Sequence, residues 1–172
     1  SPIYHRIAAF FVKGNYYYFR NFEIVRVQQN NTTKNQCECI RVFNGSYNTF
    51  ENLAMHDGMG IGLAIWNHAK SNLVLNCDAY NNADLKAPTD GDGIGGDTDG
   101  FGGHPGYPDG TGNLFVGCRA WLNADDGFDL ITAYAKVELQ SCWAMQNGYA
   151  DVDNTGTKMR CSAGNGLKSG GY

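Results

Sequence analysis

The sequence is short of positive charge where negative charge is densest. No Lys or Arg occurs from Ala87 to Cys118, yet nine of the thirteen Asp lie between Asp84 and Asp129. The net charge of −4 leaves no basic footprint, which argues against nucleic acid as a partner. No apolar run approaches the roughly 18 residues that a membrane span needs. There is no CxxC pair, which argues against a zinc site of the usual spacing. No Gly-Lys-Ser/Thr follows the Gly-rich stretch, so it is not a phosphate-binding loop. Charged residues are only 17% against 42% hydrophobic, a globular rather than a disordered balance. The 172 residues suffice for a single domain with a sizeable core, spanning 1–172.

What the chain does have is a repeat. YYYFRNFEIVR (16–26), YNTFENLAMHD (47–57), NLVLNCDAYNN (72–82), NLFVGCRAWLN (113–123) and VELQSCWAMQN (137–147) align without gaps. Apolar residues tend to alternate within each segment, as strands require, and Asn or Gly marks the ends, as turns require. In this alignment Cys77, Cys118 and Cys142 share a column, Ala54, Ala79, Ala120 and Ala144 share another, and Asn82, Asn123 and Asn147 a third. Trp121 falls with Ile24 and Met145, which places it in the core. A step near two dozen residues that preserves residue type by column is one coil of a parallel β-helix. An antiparallel sandwich accounts for strands but not for the columns. The longest step, 41 residues, then holds one coil plus an Asp/Gly-rich insertion at 84–111. The ends carry no polar capping coil, so the chain is expected to be part of a longer helix. The stacked cysteines are expected to be packed thiols; a bridge from Cys37 or Cys39 to Cys161 stays open. Sequons stand at Asn30, Asn31 and Asn44.

NADDGFD (123–129) crowds Asp125, Asp126 and Asp129 onto the bend after a strand, and TDGDGIGGDTDGFGG (89–103) adds Asp90, Asp92, Asp97 and Asp99. Such charge must lie open to water or be neutralised. Hard cations such as Ca²⁺ take six to eight oxygens, which clustered carboxylates supply. The spacing is not that of an EF-hand. His104 and Tyr107 sit in the insertion, where they would line a sugar subsite or simply face water. Arg119 is placed to point outward and pair with an acidic sugar. Lys168, in GNGLKSGG, is by residue type a surface lysine.

GNLFVGCRAWLNADDGFDL, preceded by TDGFGG and followed by GNGLKSGG, resembles the family-nine polysaccharide lyases. These are secreted right-handed parallel β-helix enzymes that cleave pectic polysaccharides, pectate or rhamnogalacturonan. The resemblance implies Ca²⁺ held by Asp99, Asp125, Asp126 and Asp129, with Lys168 as the base. It also implies an extracellular, monomeric protein whose partner is an acidic pectic polymer. The chain departs from the family in GGHPGYPDGTG, which follows the DGF segment. The implied chemistry is coherent. β-Elimination removes a weakly acidic proton beside a carboxylate, so it needs a cation to neutralise that carboxylate and a neutral base. Lys, with an ordinary pKa near 10.4, therefore needs a lowered pKa. Two other classes stay in view: a β-helix glycoside hydrolase working with paired Asp, and a non-catalytic carbohydrate-binding solenoid stapled by Ca²⁺.

Overall fold

Each coil of the chain lays down three short strands. The computed structural model describes residues 8–28, 37–84, 95–150, 156–157 and 159–170. The first coil carries β1 (Ala8–Val12), β2 (Tyr18–Arg20) and β3 (Glu23–Val25). The second carries β4 (Glu38–Phe43), β5 (Thr49–Glu51) and β6 (Ala54–His56). The third carries β7 (Ile61–Trp66), β8 (Leu73–Leu75) and β9 (Asp78–Tyr80). The fourth carries β10 (Phe101–His104), β11 (Asn113–Val116) and β12 (Arg119–Trp121). The fifth carries β13 (Phe128–Leu130), β14 (Val137–Gln140) and β15 (Trp143–Met145). A small antiparallel pair, β16 (Tyr149–Ala150) and β17 (Met159–Arg160), precedes β18 (Leu167–Ser169). First strands of the coils pair in parallel as sheet A, ending in β18; second strands form sheet B and third strands sheet C. This is the parallel β-helix the repeat calls for. Among the described residues no helix is long and apolar enough to cross a membrane.

The corners explain the Asn-rich sequence. One residue with positive φ separates each sheet B strand from its sheet C partner: Asn21, Asn52, Asn76, Gly117 and Ser141. Asn tolerates that left-handed conformation because its short polar side chain bonds locally. Two ladders of buried amides run along the axis. Asn48 Nδ2 donates to Asn72 Oδ1 at 3.1 Å and Asn72 Nδ2 to Asn113 Oδ1 at 3.0 Å. Asn82 Nδ2 donates to Asn123 Oδ1 at 3.0 Å and Asn123 Nδ2 to Asn147 Oδ1 at 3.1 Å.

These contacts correct the alignment read from sequence. The first two segments shift by one residue, since Thr49 pairs with Leu73 and Ala54 with Asp78. The position below Asn82 is Gly58, whose N–H donates to Asn82 Oδ1 at 3.0 Å. The inward column is therefore Ile24, Met55, Ala79, Ala120 and Ala144, with three alanines rather than four. Trp121 is not core. It stands half-buried on the outer face in a stack with Tyr80 and His56, ring centroids 4.4 Å apart at each step.

Inside, Phe101 stacks on Phe128 at 5.1 Å and meets Phe115 edge-on at 5.7 Å. Burying each such ring stabilises the fold by about 1.5–3 kcal/mol. Cys77, Cys118 and Cys142 occupy one column, and their thiols donate to Phe50, Val74 and Phe115 carbonyls. No disulfide joins any of the six cysteines. The Asp/Gly-rich stretch 84–111 is not one excursion, because β10 lies within it and belongs to sheet A. Asp90, Asp92, Asn30 and Asn31 lie outside the described residues. The long connections β9–β10 and β15–β18 leave from the same corner of the third and fifth coils, and the candidate site is there.

Candidate functional site

Sheet A aligns Gly102 of β10 with Asp129 of β13 and Asp129 with Lys168 of β18. Just before these strands, Asp99, Asp126 and Asn165 take equivalent places on successive coils. Gly100 N–H donates to the Asp126 carbonyl and Gly127 N–H to that of Asn165. The backbone also holds the carboxylates. Asp126 N–H donates to Asp99 Oδ1 at 3.0 Å, and Asn165 donates to Asp126 Oδ1 from its backbone at 2.7 Å and its amide at 2.8 Å. Ile131 N–H donates to Asp129 Oδ1 at 2.8 Å, and Asp97 N–H to Asp125 Oδ2 at 3.0 Å.

The result is a cluster. Oxygens of Asp99, Asp126 and Asp129 lie within 4.8 Å of one another, and all three residues are buried. Asp125 stands beside them, buried but outside that 4.8 Å group. Lys168 Nζ sits 3.3 Å from Asp126 Oδ2 and 3.5 Å from Asp129 Oδ2. One ammonium cannot balance four carboxylates. Burial raises the pKa of Asp99, and the charges of Asp129 and Asp125 raise it further. Burial, then Asp126, raises that of Asp125. Asp125 Oδ1 is buried and receives no hydrogen bond, and Asp126 Oδ2 is met by the Lys168 ammonium alone. A buried oxygen without a donor beside close, under-neutralised carboxylates fits a hard cation.

Lys168 departs from its expected state. Burial alone would lower its pKa, but Asp129 and Asp126 outweigh it and hold the ammonium above the ordinary lysine range. The lowered pKa that a base needs is absent while these carboxylates keep their charge.

The other expected residues scatter. Arg119 lies in sheet C, where its Nε and Nη2 donate to Asp78 at 2.6 Å each, so the fold does not bring it to the cluster. Tyr107 lies in the β10–β11 loop, 46% exposed and stacked on His68 at 3.7 Å. His104 is closer. It ends β10, two residues beyond Gly102, with its ring against Trp66. Sequence reasoning missed Asn165 and Gly102. Asn165 stood in the GNG segment, whose glycines drew attention to tight turns instead.

A parallel β-helix bearing a buried carboxylate cluster on one sheet is the class of protein that fold and site define. The chain belongs to a particular family within it: the Pel9A-like right-handed β-helix region matches residues 3–172. The coil is therefore right-handed, and the resemblance to family-nine polysaccharide lyases holds. Pectate lyase L of Dickeya dadantii (strain 3937) is 40% identical over 162 residues, covering 94% of this chain and 33% of the relative. A solved rhamnogalacturonan lyase superposes with TM-score 0.84 at 42% identity, over 100% of this chain and 40% of that one. Pectate lyase Pel9A superposes with TM-score 0.70 at 39% identity, over 96% of this chain and 36% of that one. The chain thus spans about a third of the length of the curated relative from Dickeya dadantii.

Proposed function

We propose that the chain is the site-bearing segment of a secreted, Ca²⁺-dependent polysaccharide lyase that cleaves a pectic, uronate-containing polymer by β-elimination. The observation that carries this reading is the register pair Asp129 and Lys168, which sets a single ammonium against buried, under-neutralised carboxylates. Asp99, Asp125, Asp126 and Asp129 would hold the ion. Bound there, Ca²⁺ supplies neutralisation of the sugar carboxylate and of the enolate-like charge that develops beside it.

The protein's own groups do the rest. Lys168 Nζ, once unprotonated, takes the proton from C5. The electrons of that C–H bond form the C4–C5 double bond, and the C4–O bond breaks toward the departing sugar oxygen. Asp126 and Asp129 keep Lys168 protonated as long as their charge is uncompensated, so base and cluster act as one unit. Asn165 fixes Asp126 through two hydrogen bonds, and the Ile131 N–H fixes Asp129. Three carboxylates gathered within 4.8 Å stand too close for an inverting glycoside hydrolase pair, roughly 6.5–9.5 Å apart, and the Lys168 ammonium that Asp126 and Asp129 share is no part of a retaining pair, roughly 5–5.5 Å apart.

The test is the product. Pectic polymer treated with the protein and Ca²⁺ should yield fragments with the ultraviolet absorbance of a new double bond. Replacing Lys168 by Ala should lower that rate about 10²–10⁴-fold. Retention of most of the rate would remove Lys168 from the chemistry.

A further inference from the structure

At the corner between sheets A and B, one column of exposed residues runs along the axis. Extending the sheet B register back to that corner aligns Tyr16, Tyr47, Ser71, Gly112 and Lys136 on successive coils. Backbone bonds agree: Tyr16 N–H donates to the Ser46 carbonyl, Tyr47 N–H to that of Lys70 and Ser71 N–H to that of Thr111. All five residues of the column are exposed. The first four have positive φ, at 64°, 59°, 53° and 79°. Glycine accepts that conformation freely, whereas a bulky side chain there is strained.

Two tyrosines nevertheless occupy it. Their rings stack nearly parallel, centroids 5.1 Å apart at 6°. Tyr47 stays 45% exposed and Tyr16 76%, so burial does not offset the strain at either corner. Strain that packing leaves uncompensated points to function. Tyr16 covers the Tyr47 face that looks toward the first coil. The opposite face looks toward the third coil, where the column continues with Ser71 and then Gly112. A Cβ at Gly112 would stand 3.1 Å from Ser71 Oγ, so even alanine would crowd the hydroxyl. No large side chain follows Tyr47 in the column until Lys136, three strand spacings or about 14 Å away. The result is an open shelf between an aromatic face and an ammonium.

Shape and charge then select the occupant. Lys136 closes the far end with a side chain 75% exposed, and Glu138 meets it at 2.9 Å as a surface pair. Lys70 precedes Ser71, and Asp109 of the β10–β11 loop is engaged by His68 at 3.0 Å. A pyranose carries C–H bonds on its face and hydroxyls or a carboxylate on its rim. Its face suits the Tyr47 ring, a hydroxyl suits Ser71 Oγ, and a carboxylate suits the Lys136 ammonium. A nucleobase would stack as well, but the net charge of −4 opposes its phosphates.

We infer that Tyr47, Ser71, Gly112 and Lys136 form a second, non-catalytic site for an acidic pyranose, which anchors the polymer at the corner after sheet A while the acidic cluster lies at the corner before it. The inference rests on the polysaccharide reading given above. Its distinguishing property is binding that needs no metal.

Affinity electrophoresis in gels cast with polygalacturonate and a chelator isolates this site, because the metal-free acidic cluster repels a uronate. Unaltered protein should migrate more slowly than in a polymer-free gel. Tyr47→Asn, which keeps a residue suited to the left-handed corner, should raise the dissociation constant about threefold to tenfold, and Tyr47→Phe should bind like the unaltered protein. Lys136→Gln should weaken binding about twofold to fivefold. With Ca²⁺ restored, Tyr47→Asn should raise KM for the polymer and leave cleavage of a short galacturonate oligosaccharide unchanged. Three results overturn the inference: no retardation of the unaltered protein, equal retardation of Tyr47→Asn protein that still unfolds cooperatively, or an equal loss on the short oligosaccharide, which would place Tyr47 in the reacting cleft. If the protein releases no unsaturated product while its retardation still depends on Tyr47, the lyase reading fails and the anchoring site stands.

Discussion

Asn123→Ala removes the middle rung of the buried amide ladder that carries the acidic bend. Four side-chain hydrogen bonds disappear. Nδ2 donates to the Ala79 carbonyl at 3.0 Å and to Asn147 Oδ1 at 3.1 Å, while Oδ1 accepts from Asn82 N at 3.4 Å and from Asn82 Nδ2 at 3.0 Å. At about 0.5–1.5 kcal/mol each, the gross loss is about 2–6 kcal/mol. Two partners keep another bond: Asn82 Nδ2 still reaches Met55 O, and Asn147 Oδ1 still accepts from the backbone N–H of residue 123. The Asn82 N–H loses more, since it lies in the buried interior and its acceptor is gone. We expect about 3 kcal/mol of destabilisation, or a fall in melting temperature of roughly 6–12 °C for a chain of this length. Urea unfolding followed by circular dichroism reads it. An Asn52→Ala control removes an exposed amide contact, to Asn21 at 3.2 Å, and places alanine at a left-handed corner, so it should cost about 1–2 kcal/mol, less than Asn123→Ala. A loss at Asn123 below about 1 kcal/mol would refute the ladder as a determinant of the coil and leave strand packing to explain the Asn column.

Two further outcomes follow from the charges. Asp99 and Asp125 have folded pKa values above their ordinary ones, so the stability linked to them is full below the unfolded value and is lost as pH rises through the folded value. Metal-free protein should therefore weaken as pH rises from about 4 toward neutrality, and saturating Ca²⁺ should restore about 2.7 kcal/mol at a hundred times its dissociation constant. Differential scanning fluorimetry should show a larger Ca²⁺-induced rise in melting temperature at about pH 8 than at about pH 5; a larger rise in acid would contradict the sign. Arg119→Ala should alter stability by at most about 1 kcal/mol and leave polymer affinity unchanged, because the pair with Asp78 is a surface ion pair on another sheet. Loss of polymer binding in that variant would return Arg119 to the site.

The columns of the solenoid were legible because stacked coils repeat residue type, and because left-handed corners and amide ladders both select Asn. The register between the second and third coils was not. Strands of three residues, such as β5, β6, β8 and β9, bury a single side chain each, so a shift of one residue leaves little trace in any one segment. Gly58 stands where the ladder would have an Asn, and the error entered there. The same slip placed Trp121 inside instead of in the outer stack. The acidic site was legible as a density of Asp on one bend. Its closure by Lys168 was not, since 39 residues separate Lys168 from Asp129 and only the excursion through β16 and β17 brings β18 back to sheet A. The family resemblance supplied that link. His104 was singled out in the loop sequence, but its ring is held by the Ile131 carbonyl, a backbone group that no side-chain pattern reports.

The central claim is that Lys168 and the carboxylate cluster are one functional unit. The direct test is the pKa of the Lys168 ammonium, followed by nitrogen-15 NMR of the labelled side chain with and without Ca²⁺. Without the ion it should titrate above the ordinary lysine range, and with the ion bound it should fall well below the metal-free value. An ammonium that titrates as a free lysine near pH 10.4 in both conditions would contradict the account.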